Sequence, residues 1–283
     1  MADQPVKTTA PGAGTAAGPR LRAGTGAGPR LRAALQGLVI PVLVLAAWQA
    51  GGTWGWWDQH LLPAPSVVGR YLLSSLADGT LAQHVAATLA RLAVGFLIGL
   101  GAAVIVGTLT GLSRLASRLL DPLLQGLRAV PSLAWVPLFL IWLGIGERSK
   151  VMLIALGVFF PIYLNLVAGI HGVDRKLVEV GRSYGLRGVR LVFRIILPAA
   201  LPSFLTGVRG GLGLGWMFVI AAELIGASRG LGFLLDLGRN ISRPEIVIAA
   251  ILLFAILGKL TDALLVLVER RALSWQDTLG AAF

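Results

Sequence analysis

The chain has no cysteine, which excludes disulfides and thiolate metal centres outright. Histidine is nearly as scarce. His60, His84 and His171 stand far apart, and none has a second ligand at metal spacing, so a zinc or haem site is not expected. Charge is thin as well. Only 13% of the 283 residues are Asp, Glu, Lys or Arg, about half the share of an ordinary soluble domain. Apolar residues fill the space, at 56% of the total and a mean hydropathy of +0.80. They come in long blocks, which points to a bilayer rather than to a buried core. The net charge of +12 would suit nucleic acid, but most Lys and Arg lie between the apolar runs. That is the placement of a membrane protein, and nucleic acid is not expected as a partner.

The runs predict an all-α, polytopic membrane protein with about six transmembrane helices. They fall at Ala33 to Ala50, Leu89 to Leu112, Leu123 to Ile145, Val151 to Ile170, Leu205 to Ile225 and Ile246 to Val268. Each is close to the ~20 residues a helix needs to cross ~30 Å of hydrocarbon. A β-barrel is excluded, because barrel strands alternate in short segments and these runs do not. Residues 1–33 are Gly, Ala, Pro, Thr and Arg, with an imperfect repeat at Ala17 to Ala23 and Ala27 to Ala33. They read as a disordered basic tail that bears on the orientation of the first helix. A cleaved leader is not favoured, since no clean small-x-small site precedes Gly51. Residues 34–88 hold the first span and an external segment, with Trp54, Trp56 and Trp57 as boundary anchors. Pro63 and Pro65 then precede a short amphipathic stretch, Ser66 to Leu76, expected to lie along the outer surface. Residues 89–271 are the core, including a loop at 171–204, and residues 272–283 form a second tail.

Orientation follows from the basic residues. With the N-terminus inside, fifteen Lys and Arg fall on the cytoplasmic side and six on the other. Six of the fifteen, Arg175, Lys176, Arg182, Arg187, Arg190 and Arg194, are in the 171–204 loop. Both termini are therefore expected inside, with three arginines in the final external loop (Arg229, Arg239, Arg243) running against the pattern. A loop of over thirty residues is seldom idle. It reads as two short helices, Val173 to Tyr184 and Val189 to Leu197, the second stopping at Pro198. Gly185 permits the turn between them. Leu177, Val178 and Gly181 share one side of the first helix.

The string Glu179-Val-Gly-Arg-Ser-Tyr-Gly185, followed by Leu197-Pro198, resembles the "EAA" loop of binding-protein-dependent ABC importer permeases. Val180 and Gly181 stand where that family usually has two alanines, and Gly181 would loosen the helix by about 1 kcal/mol relative to Ala. Leu62 to Ser66, Thr88 to Arg91, Pro131 to Leu138, Trp142 to Gly146, Glu223 to Ile225 and Gly230 to Gly232 resemble the nitrate, sulfonate and taurine branch. The resemblance implies a type I ABC importer permease fold in the cell membrane. It implies a non-catalytic subunit with no cofactor of its own, since ATP is bound by partner ATPase subunits. It also implies an extracytoplasmic solute-binding protein, a permease homodimer, and a coupling loop carried by Glu179, Arg182, Ser183, Gly185, Leu197 and Pro198. The cargo would be a small anion such as an aliphatic sulfonate, taurine or nitrate. A thiamine-precursor pyrimidine or bicarbonate is the alternative cargo.

The sequence itself has no Gly-x-x-x-x-Gly-Lys-Ser/Thr loop to bind phosphates. A secondary transporter would show inverted halves with matching broken helices, and a membrane enzyme would need a nucleophile and base or a metal cluster. Neither is evident. Ionisable or helix-breaking residues inside spans mark candidate pathways, and Pro131, Trp142, Asn165 and Glu223 are the pathway candidates. Glu223 has two readings, a gate residue or a helix end reaching water. Arg91 and Arg209 are expected to snorkel, Lys259 and Asp262 to pair along one helix, and Asn165 to bond between helices or line a pore. Gly95, Gly99, Gly107, Gly111 and the 211–215 glycines are expected to permit close helix packing.

Overall fold

The computed structural model describes residues 27–275, with side chains over 39–275. The expectations for residues 1–26 and 276–283 lie outside the described residues. Among the described residues, every regular element is a helix. The first, α1 (Ala27–Thr53), begins inside the stretch expected to be a tail. Its Ala, Leu and Arg content favours a helix. The chain divides after Ala47 into two compact units, and the unit that starts at Trp48 holds every helix after α1.

At the end of α1 the chain turns through exposed Trp54 and Trp56, while Trp57 donates its indole N–H to the Leu62 carbonyl (3.0 Å). The next helix, α2 (Pro65–Ala77), starts on a proline, whose missing N–H is harmless in a first turn. Part of its apolar side packs inward, while Leu73 and Leu76 stay exposed. Val68 and Ser75 are buried, and Tyr71 and Leu72 pack with Leu231, Leu234 and Ile246.

The core is made by α3 (Thr80–Leu112), α6 (Glu147–His171) and α9 (Leu197–Leu224). Ile154, Val158, Ile162 and Val219 are fully buried between them. Close approach comes from small residues. A Cβ at Gly99 would lie 2.9 Å from Val158 Cβ, one at Gly111 2.7 Å from Ile170 Cδ1, and one at Gly211 2.9 Å from Ile162 Cγ1.

The expected third span is not one helix. It is α4 (Arg114–Ala129), a single turn at Ser132–Trp135, and α5 (Val136–Leu143), with a bend of 92° between the halves. Pro131 is the cause, because a residue before proline is driven out of helical space, and Val130 sits at φ −75°, ψ 122°. Asp121 ties α4 to α6 by accepting the Tyr163 hydroxyl (2.9 Å). Among the described residues, four helices are long and apolar enough to cross a membrane, with a fifth span if the bent pair is counted as one. The apolar described part of α1, Val39–Thr53, is shorter than a span. The last loop also holds a helix the sequence reading did not place, α10 (Leu231–Asn240), which folds back on α11 (Pro244–Ala272).

Candidate functional site

The loop after α6 is ordered by local chemistry. Asp174 caps α7 (Arg175–Ser183), its carboxylate accepting the Lys176 N–H at 2.9 Å, as a good N-cap residue does. The helix ends with the Leu186 N–H donating to the Gly181 carbonyl (3.0 Å) and the Gly185 N–H to the Arg182 carbonyl (2.9 Å). This double closure requires a left-handed residue, and Gly185 supplies it at φ +77°. Ser183 donates its hydroxyl to the Glu179 carbonyl (3.1 Å).

Beyond the turn, α8 (Gly188–Leu191) passes into a widened turn, Val192–Ile196, and then into α9. Pro198 therefore does not stop the second helix. The Leu197 N–H reaches back to the Val192 carbonyl, one residue further than in an α-helix. This widened turn lies just ahead of the proline, which has no N–H of its own to place. The rod is helical from Gly188 to Leu224.

Gly181 has a role the sequence did not reveal. It is buried under α8, and a Cβ there would lie 2.9 Å from Leu191 Cδ1 and 3.1 Å from Ile195 Cγ1. The position that looked like a loose spot is where α7 seats on the α8–α9 rod. Leu177 does not share that inner side. With Val180 and Tyr184 it forms an outward apolar row, 49%, 53% and 84% exposed, beside exposed Glu179, Arg182 and Ser183. An apolar row ringed by charge is the form of a surface awaiting a partner.

The other end of the core carries a buried charge cluster. Arg91 on α3 is 7% exposed and Glu223 on α9 is 1% exposed. The Arg91 guanidinium donates twice to Glu147 (2.6 and 2.8 Å), once to Glu223 (2.7 Å) and once to the Arg229 carbonyl (2.6 Å). Glu223 also accepts from the Thr88 hydroxyl (2.8 Å) and the Gly232 N–H (2.8 Å). Lys150 meets Glu147 at 3.5 Å and the Gly226 carbonyl at 3.3 Å. Two cations and two carboxylates balance, as buried charges must. Gly230, at φ +130°, passes so close that a Cβ would strike the Glu223 carboxylate.

Of the two sequence readings of Glu223, the helix end reaching water is corrected, because its side chain is buried against Arg91, Thr88 and Gly232. Arg91 does not snorkel, since the buried Glu223 and the more exposed Glu147 hold it. Asn165 bonds within its own helix, to the Pro161 carbonyl (2.8 Å), and packs on Gly207, sixteen residues or about 24 Å along α9 from Glu223. Asn165 therefore stands apart from Glu223 along the core. Trp142 and Pro131 are exposed on the bent pair. The Lys259–Asp262 pairing is also replaced, for Asp262 takes a bidentate bond from Arg209 (2.6 and 2.9 Å). Two charges in separate apolar runs, Arg91 and Glu223, were the available signal of a buried pair.

The chain matches the family described as binding-protein-dependent transport system inner membrane component over residues 81–274. It is similar to a protein of Escherichia coli (strain K12) named as the aliphatic sulfonates transport permease SsuC, at 45% identity over 83% of this chain and 90% of that one. It is similar to the taurine transport system permease protein TauC of the same organism, at 37% identity over 82% and 86%. A solved structure described as an amino acid ABC transporter with histidines shares the fold, with a TM-score of 0.59 at 18% identity, over 71% of this chain and 97% of that one.

Proposed function

The chain belongs to the family of binding-protein-dependent transport inner-membrane components and is the multi-pass permease subunit of an ABC importer, and from that premise we propose that it carries an aliphatic sulfonate or taurine, driven by a separate ATPase docked on α7. The supporting observation for the docking is the capped helix–turn–helix with its outward Leu177, Val180 and Tyr184 row. The support for the cargo is the likeness to permeases named for sulfonates and taurine.

In this reading Glu179, Arg182 and Ser183 face the ATPase, and Gly185 shapes the turn. Leu197 and Pro198 join the turn to α9. A second copy completes the permease, and a binding protein outside delivers the cargo. Both termini lie in the cytoplasm, in keeping with the fifteen-to-six split of basic residues. Pro131 and Trp142 border the path on the bent pair. Asn165 and Glu223 bear on it from within the core, Glu223 by holding the Gly226 to Gly232 loop.

The test is reconstitution of the chain with an ABC ATPase and a solute-binding protein co-purified from its native membrane, followed by uptake of labelled taurine and ethanesulfonate. ATP-dependent accumulation of either is the expected result. Accumulation without ATP or without the ATPase would replace the importer by a secondary transporter.

A further inference from the structure

A groove of about 510 Å³ runs between α9 and α11. Arg209, Lys259 and Asp262 stand on it, with Trp216, Gly213 and Gly258 among the other lining residues. Its charge is out of place for a surface against lipid. Arg209 is fifteen residues, or about 22 Å, from Leu224 at the far end of the rod and four residues, or about 6 Å, inside the expected start of its span at Leu205. Lys259 is ten residues, or about 15 Å, before the charged end at Glu269, too far to snorkel out along the helix. The Arg209–Asp262 pair is half open, with side chains 51% and 29% exposed, and Lys259 is exposed and takes part in no ion pair among the described residues. A charge as deep in a membrane as Lys259 faces a water-filled cavity or another polar group rather than acyl chains.

The groove also has its space kept open. Gly211 and Gly215 on α9 are needed for packing, since a Cβ at either would press on α6 at 2.9 to 3.1 Å. Gly213 and Gly258 are different: a Cβ at either meets nothing within 4 Å. Each is a poorer helix former than Ala and returns no packing contact among the described residues. What they do is widen the groove beside the cations. Trp216 sits against its wall with the indole N–H donated to Thr261 (2.9 Å), so no donor or acceptor of that ring is left to compete. One negative and two positive side chains leave a surplus positive charge.

We infer that this α9–α11 groove is a water-filled anion station, in which Lys259 and the Arg209–Asp262 pair hold the sulfonate-type group of the transported solute. The inference rests on the sulfonate reading above for the identity of the anion, while the cationic, wet groove stands on the geometry alone. The chemistry it recognises, a compact oxyanion, is also that of an anionic lipid headgroup.

The cysteine-free sequence makes the test direct. Gly213→Cys and Gly258→Cys are introduced singly into the full chain, with Leu264→Cys on the opposite side of α11 as the lipid-side reference. Each is reconstituted in phosphatidylcholine vesicles, with and without phosphatidylglycerol. Labelling rates are compared for 2-sulfonatoethyl methanethiosulfonate, itself a sulfonate, and its trimethylammonium counterpart. Either groove cysteine should react at least ~10-fold faster with the anionic reagent. Ethanesulfonate should protect it in both lipid mixtures, and Lys259→Met should abolish the preference. No labelling at either groove position, or labelling indifferent to reagent charge, overturns the inference. Loss of anionic labelling only when phosphatidylglycerol is present assigns the groove to lipid and overturns the solute station. ATP-driven uptake measured on the same vesicles separates the two readings. Uptake without groove labelling removes the station and leaves the importer; charge-selective labelling without ATP-driven uptake removes the importer and leaves the station.

Discussion

Glu223→Gln keeps the size of the side chain but removes the charge that Arg91 faces across 2.7 Å. Arg91 keeps Glu147, yet that carboxylate is 60% exposed and also serves Lys150, so the buried half of the guanidinium loses its counter-charge. Breaking one side of a buried pair costs about 3–5 kcal/mol. Glu223→Gln should therefore lower the thermal unfolding midpoint in mild detergent by several degrees. Arg239→Ala, which breaks a pair whose arginine is 75% exposed, should cost about 1 kcal/mol at most. Equal midpoints for the two variants would remove the cluster from the stabilising contacts. Gly230→Ala should be worse than its single methyl suggests, since it adds left-handed strain of about 1–3 kcal/mol to a collision with Glu223. Gly69→Ala, in open space on α2, should be neutral or stabilising by up to about 1 kcal/mol, and the same melting experiment checks both. At this scale the sequence announced that Arg91 and Glu223 were unusual and not that they were partners. They are 132 residues apart, and periodicity within a run carries no information across such a gap.

Among the elements, the legible ones were those specified by local chemistry. Gly185 ends α7 in the sequence and also in the structure, because a left-handed turn is a property of a few adjacent residues, and the start read at Val173 falls two residues from the helix that Asp174 caps. The unbroken passage through Pro198 was not legible. A proline normally reads as a stop, and the widened turn that carries the helix past it leaves no mark in the residue types. The 92° bend at Pro131 shows the opposite case, a proline inside an apolar run that does end a helix, because there the preceding Val130 is extended. The helix α10 was hidden by its three neighbouring arginines, which read as loop. Gly181 yields a test at this scale. Gly181→Ala gains about 1 kcal/mol of helix propensity but crowds Leu191 and Ile195, an overpacking cost of about 1–3 kcal/mol. The expected result is a displaced α7 and less uptake per ATP hydrolysed in the reconstituted complex. Adding Leu191→Ala should recover coupling by making room for the methyl. A double variant no better coupled than Gly181→Ala alone would show that the contact does not set the position of α7.

For the whole molecule the decisive feature is that one rod joins the two ends. α9 has 28 residues, about 42 Å of helix. It continues the rod from Gly188, where Leu191 and Ile195 lie against Gly181 of α7, and ends next to Glu223, inside the cluster that holds the Gly226 to Gly232 segment. A push on α7 is therefore delivered to a rod whose far end is fixed by hydrogen bonds to α3 and to the first turn of α10, which is how a docked ATPase would act on the opposite face without a flexible relay. The docking half of this argument can be separated from folding. A Cβ at Gly185 meets nothing within 4 Å, so any side chain there points away from the subunit. Gly185→Ala and Gly185→Trp carry the same left-handed strain, about 1–2 kcal/mol, and differ only in what they present to a partner. Both should fold and insert. The Ala variant should still co-purify with the ATPase and support uptake, while the Trp variant should lose the ATPase or hydrolyse ATP without transport. Full coupling in the Trp variant would move the docking surface away from the α7 turn. Equal loss in both would trace the defect to backbone strain rather than to the interface.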